Sequence, residues 1–301
     1  MRKIISAVVV TRNRLGEATE CIKSLFKQTH PIDEIIVVDN ASSDETGAEI
    51  KKLFPKVKLV TSNKNLGGAG GRNLGYRKTK GDLILFMDDD ALADKELVYS
   101  LLETFESAKN IGIVQPKIYD KEQKDIIQGV GHGINLLTGR VYGIGVREKD
   151  KGQFDKDMEV PMVGCCWMVR KAVFQKIGQY DEEIFIPYED SDFCKRAWDA
   201  GFKVMYSYKA KVWHRGPKDT GIPAKLQWIG ITTSDRAYRV SRNKMIFMKK
   251  HAPKINLIIF GVFLVPIYAV VHSAIIVSSR RFNILLNYWK GIFSGYFYLF
   301  K

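Results

Sequence analysis

Cysteines are few in this sequence, and repeats and low-complexity tracts are absent. Four cysteines occur in 301 residues, and the only two that lie close together, Cys165 and Cys166, are adjacent. Because adjacent cysteines rarely bridge, the pattern excludes a disulfide framework and indicates a reducing compartment. The chain is long enough to bury a substantial core, as one large domain or two.

Acidic residues are also few relative to basic ones. The chain contains 33 Asp and Glu residues and 47 Lys and Arg residues, which gives a net charge of +14. A balance this basic predicts an anionic partner: nucleic acid, a nucleotide or lipid diphosphate, or an anionic membrane. The sequence has no Arg-rich arm and no paired zinc-ligand spacing, so we expect no nucleic acid. The first residues lead directly into a predicted strand, and we expect no signal peptide.

The most informative stretch is residues 83–90, where five apolar residues run into three consecutive carboxylates. The apolar run predicts a buried strand of a parallel sheet, and ligands of such sheets bind at the carboxyl ends of the strands. Clustered carboxylates repel one another unless a positive charge neutralises them. A hard divalent cation is their natural partner, with ligands from alternate residues such as Asp88 and Asp90. A solvated acidic turn is the alternative.

Strands and helices alternate in the first part of the sequence. Buried strands are predicted at residues 4–11, 34–39 and 57–60, and apolar residues at helical spacing predict helices after the first two. This alternation predicts a right-handed, mainly parallel α/β sheet. Asp39 and Asp88 would then lie on the same edge of one sheet.

A glycine cluster at residues 67–71 also falls on that edge. Glycines allow close backbone approach, and a helix N-terminus after such a loop favours phosphate. The cluster matches neither the P-loop nor the GxGxxG spacing, so a phosphate-binding loop and a packing loop are equally good interpretations.

The second half of the chain offers further polar candidates. The loose pattern of residues 117–161 predicts irregular loops and short strands. Beyond them, Glu189, Asp190 and Asp192 open a predicted helix, whose dipole alone would stabilise carboxylates there. The functional alternative is a general base presented from the helix start. His214 follows the last predicted strand and could reach a metal held by the acidic triplet.

The polar motifs that follow the predicted strands are short, but their order and spacing are highly specific. They are Thr11-Arg12-Asn13-Arg14, Val37-Val38-Asp39-Asn40-Ala41-Ser42, Asn65-Leu66-Gly67-Gly68, Asp88-Asp89-Asp90, Glu189-Asp190-Ser191-Asp192 and Trp213-His214. Residues 3–250 thereby resemble the inverting family 2 glycosyltransferases of the GT-A fold, most closely the bacterial rhamnosyltransferase and galactofuranosyltransferase branch. We therefore expect a GT-A catalytic domain over residues 1–250, followed by a hydrophobic helical segment over residues 251–301.

The resemblance implies roles for individual residues. The nucleotide sugar would be bound by Thr11, Arg14, Asp39, Asn65, Gly67, Asp88 and Asp89. Asp88 and Asp90, with His214 as a possible third ligand, would bind Mn²⁺ or Mg²⁺ on the diphosphate. Asp190 would be the catalytic base, with Glu189 and Asp192 as rivals, and Glu189 is also a candidate for contact with the acceptor.

Trp167 is a candidate from the residues themselves, since an aromatic ring beside the acceptor could stack on a sugar face. A core position on a strand is an equal alternative. Residues 117–161 match no pattern of the family, so the remainder of the acceptor site is not defined.

The predicted residues suit transfer of a sugar from a UDP- or dTDP-linked donor to a hydroxyl of a glycan or lipid-linked acceptor. A divalent ion neutralises the leaving diphosphate, and one carboxylate takes the proton of the acceptor. One base without a nucleophilic carboxylate predicts a single displacement with inversion. A nucleotidyltransferase is one alternative, although residues 11–14 lack the glycine expected there. A non-catalytic nucleotide-sugar-binding protein is another, although the carboxylates are intact.

The C-terminal segment contains an almost uninterrupted apolar run at residues 255–277, which is long enough to span a bilayer. Pro266 should kink such a helix. Basic residues flank the run on both sides and do not settle its orientation, while the aromatic-rich residues 282–300 suit a membrane interface. We expect attachment to the cytoplasmic face of the cell membrane beside a lipid-linked acceptor, as in cell-wall or polysaccharide biosynthesis. A buried hairpin or a homo-oligomer interface is the alternative.

Overall fold

The computed structural model of the protein describes residues 2–215 and 221–300. The chain divides into two compact units, which we call the sheet unit and the helical unit. The sheet unit comprises Met1–Gly133, Tyr142–Phe185 and Asp190–Gly216, and the helical unit comprises Ile134–Val141, Ile186–Glu189 and Pro217–Lys301. The division into functional domains at residue 250 stays a prediction.

Thirteen strands occur in the described part of the chain. They are β1 (Ile5–Thr11), β2 (Glu34–Asn40), β3 (Lys58–Ser62), β4 (Leu83–Asp88), β5 (Ala91–Ala93), β6 (Ile111–Asp120), β7 (Ile126–Gly129), β8 (Gly131–Ile134), β9 (Val141–Ile144), β10 (Glu148–Lys149), β11 (Met158–Glu159), β12 (Cys166–Arg170) and β13 (Lys203–His214). The short strands β7 to β11 confirm the prediction for residues 117–161.

Helices cover the strands and form the C-terminal part. They are α1 (Leu15–Phe26), α2 (Thr46–Leu53), α3 (Gly67–Tyr76), α4 (Leu97–Glu106), α5 (Lys171–Ile177), α6 (Glu189–Asp199), α7 (Ala224–Trp228), α8 (Ser234–His251), α9 (Lys254–Ile259), α10 (Val265–Ser278) and α11 (Phe282–Phe300). A π-helical turn, Phe260–Leu264, joins α9 to α10.

The main sheet confirms the predicted α/β class. Its strand order is β10-β7-β6-β12-β4-β1-β2-β3, and β13 pairs with β6, β5 and β11. The strands β3, β2, β1 and β4 are parallel, and the chain reverses its direction of winding at β1. Thr11 lies opposite Asp39, and Val10 lies opposite Asp88. The carboxyl ends of β1, β2 and β4 therefore meet at the edge where open α/β sheets bind ligands.

The central strands are continuous apolar runs because both of their faces are covered. Val8 and Val9 point to opposite faces of β1, and each is at most 1% exposed. Burial of one such side chain contributes about 1.5–3 kcal/mol to stability. A rigid core thus holds the polar residues that follow each strand.

The glycine cluster is not a loop, and here the structure corrects the sequence analysis. Gly67 begins α3, so the glycines form the first turns of this helix. A Cβ on Gly75 would lie 2.3 Å from Val8 Cγ1, and one on Gly71 would lie 2.7 Å from Val10 Cγ1. The glycines thus let α3 pack closely on β1, which is the packing interpretation.

The helical unit contains the predicted apolar segment. One continuous helix, Lys254–Ser278, is long and apolar enough to cross a membrane. The sequence predicts a kink at Pro266. The structure has the π-helical turn Phe260–Leu264 just before this proline. Proline lacks the amide N–H and clashes with the carbonyl four residues earlier, here that of Val262, so a wider turn relieves the clash.

Candidate active site

Three strand ends position the acidic triplet and His214. Asp88 ends β4, and the next residues turn into β5, which pairs antiparallel with the end of β13. This pairing places His214 opposite Ala91, and the backbone N–H of Arg215 donates to the carbonyl of Asp90 at 3.1 Å. Residues more than 120 positions apart in sequence therefore meet at one sheet edge.

Asp88, Asp90 and His214 fit a divalent cation. One ligand atom from each side chain lies within 4.8 Å of the others, and His214 Nε2 is 3.1 Å from Asp90 Oδ1. Two carboxylates and an imidazole are a donor set that Mn²⁺ accepts, and Mg²⁺ accepts the carboxylates. The three predicted ligands are thus together in space.

Gln128 on β7 orients the imidazole. Its Oε1 is 2.8 Å from His214 Nδ1, while its Nε2 donates to Asp120 Oδ2 at 3.1 Å and to the His214 carbonyl at 3.0 Å. These two acceptors fix the amide so that its oxygen faces Nδ1–H. Nε2 is then the imidazole nitrogen available to a cation, because a hydrogen bond at one ring nitrogen fixes the tautomer in which the other can bind a metal.

Burial and charge act in opposite directions on the ionisable groups of this site. Burial alone would lower the pKa of His214, but the hydrogen bond to Asp90 and the charges of Asp88 and Asp90 outweigh it and raise that pKa. Burial would raise the pKa of Asp90, but His214 and Arg14 lower it. For Asp89, burial dominates and raises the pKa to about 6.

Arg14 and Thr11 converge on the same carboxylates. Arg14 Nη1 lies 3.1 Å from Asp89 Oδ1 and 3.0 Å from Asp90 Oδ2. Thr11 Oγ1 donates to Asp89 Oδ2 at 2.7 Å. Asp89 is 6% exposed and engages both oxygens inside the protein, so its geometry favours holding Arg14 over contacting a ligand directly. The Arg14 side chain is half exposed and within reach of one.

Asp39 and Asn65 shape the neighbouring edge. Asp39 Oδ1 accepts the N–H of Ser42 at 2.9 Å, and Oδ2 lies so close to Gly47 that a Cβ there would be 2.3 Å away. Asn65 Oδ1 accepts the N–H of Gly67 at 3.0 Å. These contacts hold the ends of β2 and the start of α3 in place, and the nucleotide-binding roles stay predictions.

Arg72 joins the acidic triplet to the helix that carries the predicted base. Its Nη2 lies 3.2 Å from Asp88 Oδ1, and its Nη1 lies 3.0 Å from Asp190 Oδ1. The guanidinium carbon sits 4.7 Å from the centre of the Trp167 ring. Trp167 itself is 1% exposed, and its indole N–H donates to Tyr180 Oη at 3.1 Å. The burial favours the core alternative for Trp167, as a platform beneath Arg72.

The three carboxylates at the start of α6 differ in exposure. Asp192 is fully buried and accepts from Arg196 Nε at 2.8 Å, and Glu189 is 2% exposed. The Asp190 side chain is 22% exposed. The geometry thus favours Asp190 over its rivals as a base, and it does not favour contact of Glu189 with an acceptor. Both roles stay predictions.

Comparison with known protein families identifies the fold and its relatives. Residues 6–178 match the model of the family described as "Glycosyl transferase family 2". The chain belongs to this family. The predicted resemblance is thereby confirmed.

Curated relatives of this family 2 chain include bacterial and archaeal proteins. An uncharacterised glycosyltransferase of Haemophilus influenzae is 34% identical over 58% of this chain, which spans 55% of that protein. The dTDP-rhamnosyl transferase RfbF of Shigella flexneri is 28% identical over 93% of this chain and 90% of its own length. The chain thus spans only about half of the first relative and most of the second.

Solved glycosyltransferases share the fold. The mannosyltransferase PcManGT of Pyrobaculum calidifontis, solved with GDP-Man and Mn²⁺, matches with a TM-score of 0.58 and 14% identity over 98% of this chain and 87% of its own. GalNAc-T7, solved with UDP, GalNAc and Mn²⁺, matches with a TM-score of 0.61 and 18% identity over 83% of this chain and 51% of its own. These likenesses confirm the predicted GT-A fold.

Sequence reasoning missed two polar residues of the family 2 site. Arg72 is the only charged residue of α3, and a charge on the packed face of a glycine-rich helix signals a buried partner. Gln128 carries no such signal, because it lies in the region without a readable pattern.

Proposed function

We propose that this chain transfers a sugar from a nucleotide-diphosphate sugar to a hydroxyl of a glycan or lipid-linked acceptor, with inversion at the anomeric carbon. The observation that carries the proposal is the convergence of Asp88, Asp90, His214 and Asp190 at one sheet edge in a family 2 chain. RfbF, similar over nearly its whole length, is named a dTDP-rhamnosyl transferase, and solved structures of the same fold hold UDP or GDP-Man. A UDP- or dTDP-linked donor is therefore the first choice.

The donor side of the site would use the residues that follow β1, β2 and β4. Asp88, Asp90 and His214 would hold Mn²⁺ or Mg²⁺, which supplies positive charge to the departing diphosphate. Arg14 is half exposed beside the two carboxylates and adds a permanent positive charge for the same leaving group. Thr11, Asp39, Asn65 and Gly67 would line the nucleotide.

Asp190 would take the proton of the acceptor hydroxyl. Arg72 holds this carboxylate and Asp88 with one planar guanidinium, so the base and the donor side keep a fixed separation. A single base positioned in this way, without a second carboxylate placed as nucleophile, supports one displacement and therefore inversion.

A membrane-bound acceptor is part of the proposal. The helix Lys254–Ser278 supports attachment to a membrane. At the cytoplasmic face of the cell membrane, a lipid-linked acceptor of cell-wall or polysaccharide synthesis would be in reach. A homo-oligomer through the same helices is the competing arrangement.

A donor screen tests the proposal. UDP-, dTDP- and GDP-sugars are each added with Mn²⁺, and thermal stabilisation and donor hydrolysis are measured, because a ligand of the native state raises its stability with the logarithm of saturation. We expect one nucleotide sugar to stabilise the protein and to be hydrolysed only with metal. Stabilisation without turnover by any donor or acceptor would instead indicate a binding protein, and no response to any nucleotide sugar would contradict the proposal.

A further inference from the structure

The last helices of the helical unit expose apolar side chains to an unusual extent. In the most apolar stretch of Lys254–Ser278, only 22% of the residues are buried, and Val262, Phe263 and Val270 are among the exposed ones. On α11, Phe293 and Phe297 are 67% and 69% exposed. The helix Lys254–Ser278 and α11 form a hairpin, and we call these five side chains the hairpin face. Water disfavours so much exposed apolar surface, which indicates an interaction surface.

α11 is fixed to α8 along its length. A Cβ on Gly291 would lie 2.1 Å from Ser241 Oγ, and one on Gly295 would lie 2.5 Å from Met245 Sδ. The Gly-x-x-x-Gly pattern often mediates pairing of helices from two chains in membranes. Here α8 of the same chain occupies that side of α11, so Phe293 and Phe297 point away from it.

α11 is also tied to the preceding helix in an antiparallel hairpin. Tyr288 Oη donates to the carbonyl of Tyr268 at 3.1 Å, and Tyr296 Oη donates to the carbonyl of Gly261 at 2.7 Å. α8, α10 and α11 are therefore packed together, and α10 cannot cross a bilayer while α8 and α11 stay in water.

Charge decides how the hairpin can meet a bilayer. α8 carries Arg239, Arg242 and Lys244 in its middle turns, and charged side chains are costly in the hydrocarbon core. Both ends of the hairpin are basic, with Lys254 at one end and Arg280-Arg281 at the other. Positive charge at both ends does not settle the orientation of a spanning helix, whereas it suits a hairpin whose two ends lie at the headgroups.

The helical unit is complementary to anionic headgroups. Residues 221–300 contain eleven Lys and Arg residues and a single acidic residue, Asp235, which pairs with Arg239 at 2.7 Å. A second copy of the chain would bring two such basic surfaces together, whereas an anionic membrane attracts them.

We propose that the hairpin lies in the interface of an anionic bilayer, with the hairpin face inserted between the headgroups, and does not span the membrane. This inference specifies the membrane attachment contained in the proposed function. Because vesicle binding is measured without donor or acceptor, its failure is distinguishable from a failure of sugar transfer.

Vesicle sedimentation of the full chain tests the proposal. We expect binding to phosphatidylcholine vesicles that contain phosphatidylglycerol, weaker binding to phosphatidylcholine alone, weakening by salt, and release by alkaline carbonate. The double variant Phe293→Ser/Phe297→Ser should partition roughly tenfold less, since each exposed phenyl ring otherwise buries apolar area. Tyr99→Ser, at a half-exposed position of the sheet unit, should bind like the parent.

A second variant keeps the test independent of folding defects. Arg280→Gln/Arg281→Gln changes only exposed or half-exposed residues and should reduce binding to phosphatidylglycerol vesicles without altering the thermal unfolding temperature. Resistance to carbonate with equal binding to both vesicle types would establish a spanning helix and overturn the proposal. Soluble dimers that ignore vesicles would assign the face to a second copy, and a soluble monomer that ignores vesicles would equally overturn it.

Discussion

The sheet unit and the helical unit treat charge and apolar surface in opposite ways. In the sheet unit, buried cations have carboxylate partners: Arg72 contacts Asp88 and Asp190, and Lys117, which is 1% exposed, contacts Asp150 at 2.9 Å. In the helical unit, residues 221–300 contain eleven basic residues and one acidic residue, and large apolar side chains are exposed.

The difference agrees with the kind of partner proposed for each unit. The sheet unit has a closed apolar core and collects its carboxylates at one edge, and the partner proposed for it is a small charged ligand. The helical unit is buried only along the packed faces of its helices, and the partner proposed for it is an extended surface. If this comparison holds, substitutions in one unit change one readout and leave the other unchanged.

The largest effect is expected at the predicted metal ligands. Asp90→Asn should reduce transfer to background and weaken donor binding in Mn²⁺, because it removes a charged ligand and the partner of His214. Excess EDTA should have the same effect on the parent protein. Asp235→Asn, which removes the single carboxylate of residues 221–300, is the control and should retain activity. Full activity of the Asp90 variant, or in EDTA, would remove the metal from the proposal.

Asp190→Asn should lower the transfer rate by about 10²- to 10⁴-fold, which is the usual contribution of a positioned general base. Donor binding, measured by titration, should stay nearly intact, because the amide keeps the shape of the carboxylate. Asp199→Asn on the exposed side of the same helix is the matched control. An active Asp190 variant beside an inactive, folded Asp192→Asn variant would transfer the role to Asp192.

Gln128→Leu should weaken Mn²⁺ affinity by about 10- to 100-fold, which is typical when a ligating histidine loses the hydrogen-bond partner of its other ring nitrogen. Leucine has a similar volume but no oxygen for His214 Nδ1–H. Calorimetric titration of Mn²⁺ measures the change, and Gln153→Leu, at an exposed loop position, is the control. Unchanged Mn²⁺ affinity would contradict the orienting role of Gln128.

We expect a substitution in the helical unit to have the smallest effect on sugar transfer by the sheet unit. Its effect is on stability. Gly291→Ala places a methyl group against Ser241 and the Tyr238 carbonyl and should lower the unfolding free energy by about 1–3 kcal/mol. Gly261→Ala, whose new Cβ would meet only Leu299 at 3.6 Å, should change it much less. Thermal unfolding followed with and without Mn²⁺ separates the two units. Equal effects of both variants would contradict the close packing of α8 and α11.

Periodicity in the sequence predicted the parallel part of the sheet, the helices after its first two strands, and the polar residues at the strand ends, because these are consequences of local pattern and chain direction. The same logic failed for the glycine cluster. Glycine has low helix propensity, yet α3 forms because only glycine lets its backbone approach Val8 and Val10. Tertiary packing there outweighs local preference.

The sequence by itself determined the α/β class, the family, the acidic edge and the presence of an apolar C-terminal segment, because each is written in a run of neighbouring residues. Only the tertiary structure decided that Arg72 joins Asp88 to Asp190, that Gln128 orients His214, and that Trp167 lies in the core. It also decided which side of α11 is taken by α8 and which is left exposed. These are contacts between distant parts of the chain, and their geometry depends on how packed elements come together, which no local pattern encodes.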